Sequence, residues 1–145
     1  MKILVSKCLL GERCRFDGRS KTNQAVLKLI EGHEVIAVCP EVMGGMEVPH
    51  TPCERIGDKV IGKDGKDYSD KFIKGAKIAA DLCAKNHCDI AILKSKSPSC
   101  GYRLIYDGNF NGNLIPGNGL LTDELLKQDI KIYNEDEIKD YFLEK

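Results

Sequence analysis

The chain has 145 residues, enough for one domain around one core and short of what two would need. Its 22 basic side chains equal its 22 acidic ones, so no net field draws it to long nucleic acid or to an anionic membrane, and the expected partner is a small molecule. The first apolar run is broken at Ser6 and Lys7 before a signal-peptide core forms, and no apolar stretch reaches membrane-spanning length, so a cytoplasmic protein is expected.

Residues 2–5 (KILV) and 34–39 (EVIAVC) are β-branched runs that predict strands, and residues 22–31 between them carry Val26, Leu27 and Ile30 at helical spacing. The Gly-rich stretch 43–51 (MGGMEVPHT) lacks a regular period and predicts a loop. Residues 58–67 (DKVIGKDGKD) predict a small hairpin turning at Asp64-Gly65, a pair suited to positive φ. Residues 69–87 set Phe72, Ala76, Ala79, Ala80 and Cys83 on one helical face and Lys71, Lys74, Lys77, Asp81 and Lys85 on the other, an amphipathic helix that covers a sheet. A strand at 89–93 (DIAIL), a loop at 106–119 (YDGNFNGNLIPGNG), a helix at 122–128, a strand at 130–133 (IKIY) and a terminal helix at 135–143 complete the pattern. Strands alternating with helices predict a Rossmann-like, doubly wound α/β fold: a mainly parallel sheet with helices on both faces, in a single domain over residues 1–145.

Seven cysteines in a chain expected in a reducing compartment point to metal or thiol chemistry more than to disulfides, although a buried cysteine is also an ordinary small apolar residue. In open parallel sheets ligands bind beyond the carboxyl ends of the strands, and three cysteines follow predicted strands there: Cys8, Cys39 and Cys100. Three thiolates can hold a [4Fe-4S] cluster with one iron left open; inert or zinc-bound thiols are the competing readings, with Cys14 the nearby candidate for a fourth zinc ligand. Cys83 falls on the apolar helix face and reads as core, and Cys53 and Cys88 have no partner at metal-ligand spacing.

Glu41, in Cys39-Pro40-Glu41, stands at the rim of the same edge as a candidate general base, against a surface or helix-capping role. Ser97 and Ser99 flank Pro98 just before Cys100, where their hydroxyls can orient water or substrate or simply serve a turn. The loop 13–21 (RCRFDGRSK) brings Arg15, Asp17, Arg19 and Lys21 to where a base or phosphate would be met, but no glycine-rich nucleotide fingerprint accompanies it. The three histidines fall at loop and helix-end positions without a triad ordering and receive no role.

Taken together, KCLLG at 7–11, CRFDG at 14–18, CPEVMGG at 39–45, LKSKSPSCG at 93–101 and YDGNFNG at 106–112 with the GNG turn at 117–119 resemble the thiouracil desulfidase family over nearly the whole chain. The resemblance implies a [4Fe-4S] cluster on Cys8, Cys39 and Cys100, catalytic roles for Glu41 and Ser97, and a small thiolated pyrimidine as substrate, with C=S replaced by C=O and sulfide released without redox change. Glu47, His50 and Cys53 depart from the residues expected after the Gly44-Gly45 pair, which touches the substrate-facing loop. The alternative is a non-catalytic carrier that holds metal or sulfur on the same thiolates.

Overall fold

In the computed structural model, residues 1–138 are described. Four strands, β1 (Lys2–Ser6), β2 (Glu34–Val38), β5 (Ile90–Leu93) and β8 (Lys131–Asn134), form one parallel sheet in the order β2-β1-β5-β8. Ile3 pairs with Val35 on one side and with Ile90 on the other, so β1 and β5 are the central strands. The predicted doubly wound α/β fold is therefore present, and the order places its topological switch point between β1 and β5.

The pleat explains why helices cover both faces. Ile3 and Val5 with Ile90 and Ile92 point to one side, where they bury against Val26 of α1 (Gln24–Leu29). Leu4, Ala91 and Leu93 point to the other, against Ala76, Ala79, Ala80 and Cys83 of α3 (Ser69–Asn86) and Leu121 and Leu125 of α4 (Leu120–Leu126). Strands buried on both faces read as unbroken apolar runs, as 3–5 and 90–93 do. Asn23 caps α1 by accepting from the Val26 N–H at 3.0 Å. His87, in the left-handed region, ends α3.

The hairpin expected over residues 58–67 turns at Asp64-Gly65 and brings Asp67 antiparallel to Ile61, and a strand not expected, β3 (Cys53–Ile56), pairs with β4 (Lys59–Gly62) through a turn at Gly57 with φ +60°. The stretch 106–119, expected as a loop, contributes to an antiparallel pair of β6 (Leu104–Tyr106) and β7 (Leu114–Pro116). The expected terminal helix at 135–143 lies mostly outside the described residues, and Glu135 to Glu137 form a turn. Among the described residues no helix is long and apolar enough to cross a membrane.

Candidate active site

The carboxyl edge of the sheet carries a cavity of about 430 Å³, within the usual range for small-ligand sites. Cys8, Cys39, Cys100, Glu41 and Ser97, the five residues singled out from the sequence, all line it. Each arrives by its own backbone device. Cys8 sits in the 3-10 turn Lys7–Leu10 that follows β1. Cys39 ends β2 in extended conformation, φ −130° and ψ 94°, as a residue before proline must, and Pro40 then opens the one-turn helix α2 (Pro40–Met43). Glu41 is carried on that helix. Gly44 and Gly75 let α2 and α3 meet backbone to backbone, since a Cβ at either would collide with the carbonyl of Lys71 or Pro40.

Cys100 is held by a network of N–H donors. Its own N–H donates to Ser97 Oγ at 2.7 Å, and the Gly101 N–H to the Ser97 carbonyl at 2.9 Å. At the start of α4, Leu120 and Leu121 donate their N–H groups to the carbonyls of Pro98 and Ser99, both at 2.9 Å, and Thr122 Oγ1 donates to the Cys100 carbonyl at 3.1 Å. Gly119 packs against this turn so tightly that a Cβ would strike the Ser99 carbonyl. The helix end is thus spent on rigidifying the turn that presents Cys100.

The three thiols differ in environment. Burial pushes Cys8 up to about 11, with the Lys94 ammonium pulling the other way, and pushes the enclosed Cys100 up to about 12. Hydrogen bonding with the Cys14 thiol holds Cys39 below its ordinary value and drives Cys14 upward. Buried thiols of this kind become thiolates only when a cationic group compensates the charge, which is the behaviour of metal ligands. Among the described residues no three His, Cys, Asp or Glu side chains converge closely enough to hold a single metal ion. Three thiols and no histidine among the candidate ligands make a soft, all-sulfur donor set of the kind that iron–sulfur clusters take.

Beside the thiols runs a chain of hydrogen bonds that the sequence did not foreshadow. Ser99 Oγ donates to Glu41 Oε2 at 2.8 Å, and Ser97 Oγ lies 3.3 Å from Ser99 Oγ. Because the Ser99 proton is directed at the carboxylate, the Ser97 hydroxyl is the donor in that second contact. Glu41 Oε1 meets His50 Nε2 at 3.1 Å, and His50 Nδ1 meets the Thr51 carbonyl at 2.6 Å. Burial works against a charged imidazole, but the bonds to Glu41 and Thr51 outweigh it and raise the His50 pKa above the ordinary value. His50 had been given no role; it reaches Glu41 across a loop, and no periodic signal marks such a contact. The cavity wall adds Lys94, whose ammonium pairs with the buried Glu135 at 2.9 Å, and Arg15, stacked 5.6 Å from the Phe16 ring centroid. Of the basic loop at 13–21, Arg15 and Lys21 line the cavity, while Arg13 and Arg19 are exposed.

Fold and site together define a doubly wound α/β protein whose working edge is a cysteine-lined cavity with a buttressed carboxylate. The pattern of the 2-thiouracil desulfurase family matches residues 3–137, and the chain belongs to that family. It is 34% identical over 149 aligned positions to YbbK, an uncharacterised protein of Bacillus subtilis (strain 168), covering 95% of this chain and 98% of that one. The solved structure of TudS, a [4Fe-4S]-dependent thiouracil desulfidase, superposes with a TM-score of 0.90 at 39% identity, over 99% of this chain and 96% of the other.

Proposed function

We propose that the chain is a non-redox desulfidase that exchanges the thiocarbonyl sulfur of a thiouracil-type pyrimidine for oxygen: C=S plus water gives C=O plus hydrogen sulfide. The observation that carries this reading is the opening of three strand-end thiols into the same cavity as the Glu41–Ser99–Ser97 chain. Cys8, Cys39 and Cys100 would hold a [4Fe-4S] cluster, their soft sulfur donors lining one cavity and fitting such a group. When bound, the cluster supplies a soft Lewis acid for the thiocarbonyl sulfur at the iron that lacks a cysteine.

The rest of the chemistry falls to the chain's own side chains. Glu41 accepts the proton of the attacking water, directly or through the Ser97 and Ser99 hydroxyls. Ser97, fixed as an acceptor of the Cys100 N–H at 2.7 Å, retains a lone pair with which to orient that water. Pro40, Phe16 and Tyr106 add apolar surface to the cavity lining against which a planar ring can pack.

The test is anaerobic purification or reconstitution, a count of iron and acid-labile sulfide, and an assay of sulfide released from thiouracil. About four irons per chain with sulfide and uracil formed in equal amounts are expected. Protein that binds no iron after reconstitution, or binds it and releases no sulfide, would sink the reading.

A further inference from the structure

The Glu41–His50 contact has a hydrogen inventory that can be closed. His50 Nδ1 faces a backbone carbonyl at 2.6 Å, which offers no proton, so Nδ1 must carry one. A neutral ring protonated at Nδ1 has a bare Nε2, and a bare nitrogen does not sit 3.1 Å from a carboxylate oxygen without a proton between them. The ring nitrogen therefore carries that proton and donates it to Glu41 Oε1, which leaves the carboxylate an acceptor. His50 has an 8% exposed side chain and Glu41 a 17% exposed one, so water is a poor substitute for this bond. The histidine is itself anchored: its N–H donates to the Phe16 carbonyl at 2.7 Å, and its ring lies 6.3 Å from the Phe16 ring at a 56° tilt.

We propose that His50 is a positioning residue: by clamping Glu41 Oε1 it turns the carboxylate so that Oε2 receives the Ser99 hydroxyl, and so keeps the Glu41–Ser99–Ser97 chain assembled. The proposal rests on the desulfidase reading only for its kinetic arm. Glu41 rides on a single helical turn with two free side-chain torsions beyond its first, and Ser99 alone fixes one oxygen. A second fixed oxygen removes the remaining rotation. No resemblance to a catalytic dyad is needed, because His50 acts through Glu41 and touches no reacting atom.

The test compares His50→Phe, which keeps the ring and removes the donor, with His50→Gln, which retains an N–H for Glu41 Oε1. Both are prepared with cluster, their iron counted, their kcat and KM measured by sulfide release, and their crystal structures solved. The Phe variant should keep its iron, lose about 10- to 100-fold in kcat with KM within about twofold, and have Glu41 turned off Ser99. The Gln variant should keep Glu41 on Ser99 and recover kcat to within about fivefold of the parent. A Phe variant with Glu41 still on Ser99, or with parental kcat, overturns the proposal, as does equal loss of kcat in both variants. If the parent itself releases no sulfide, the desulfidase reading fails on its own, and the orientation of Glu41 in the two crystal structures alone decides for or against His50.

Discussion

The thiol edge and the carboxylate arm of the cavity are built by opposite means. Cys8, Cys39 and Cys100 are delivered by the ends of β1, β2 and β5, whose parallel register and two-sided burial fix where the chain emerges. Glu41, His50 and Ser99 come from a one-turn helix and two loops, and they find one another through side-chain hydrogen bonds of 3.1 and 2.8 Å. The positions of the proposed ligands are thus a property of the sheet, whereas the proposed base depends on contacts that a single substitution can remove. Changes at the first region should abolish loading, and changes at the second should spare loading and cost rate.

Cys100→Ala gives the largest expected effect, loss of iron together with all measurable sulfide release. It removes one of the three proposed ligands from a turn that α4 holds rigid. Iron analysis and the visible absorption of the reconstituted protein check this; a variant that retains full iron would break the contrast at its stronger end. Glu41→Gln comes next. Gln is close in shape and can still meet Ser99, so iron content should equal the parent's while kcat falls about 10²- to 10⁴-fold, the range for removal of a general base. Loss of iron in this variant would mean that the two regions are not separable.

That separability matches what the sequence made legible. The central strands were visible because burial on both faces turns Ile3–Val5 and Ile90–Leu93 into unbroken apolar runs, and the three cysteines were visible because they come after predicted strands. The strand β3 was missed because it carries no alternation of its own. Its Glu54 is buried as an acceptor for the Gly108 and Phe110 N–H groups, and its Arg55 reaches the Asn118 carbonyl and Asp123 at 2.6 Å, so charge sits where an apolar residue would have given a period of two. The β6–β7 pair was missed because all three residues of β7 are exposed, which leaves no buried face to write into the sequence. His50 escaped for a related reason: a contact from a loop back to a one-turn helix leaves no spacing rule behind.

Between the two regions lies the joint where α2 packs on α3, and Gly75→Ala tests it. A methyl group there would meet the Pro40 carbonyl, so the short helix must move or the long one must yield. Overpacking of this kind costs about 1–3 kcal/mol, read as a drop in denaturation midpoint. Since Cys39 precedes that helix and Glu41 rides on it, kcat should fall by more than iron content does. A variant whose iron falls further than its kcat would place Cys39 under the control of α2 packing and move it into the second region.

The smallest effect is expected from Cys83→Ala, and it sharpens the comparison by removing a cysteine that the sheet edge does not supply. Cys83 is fully buried on the apolar face of α3, among Leu4, Ala79 and Leu125. Burial pushes its thiol up to about 12, so it stays protonated and acts as a small apolar side chain beside Cys88. Losing the sulfur atom leaves a space smaller than that of a deleted isobutyl group and should cost about 1 kcal/mol, measured by urea denaturation, with iron content and kcat at parental values. Equal iron in Cys83→Ala and none in Cys100→Ala would tie cluster loading to the carboxyl edge of the sheet and not to the number of cysteines in the chain; loss of iron on truncating Cys83 would mean that the packing of α3 on the sheet governs the edge after all.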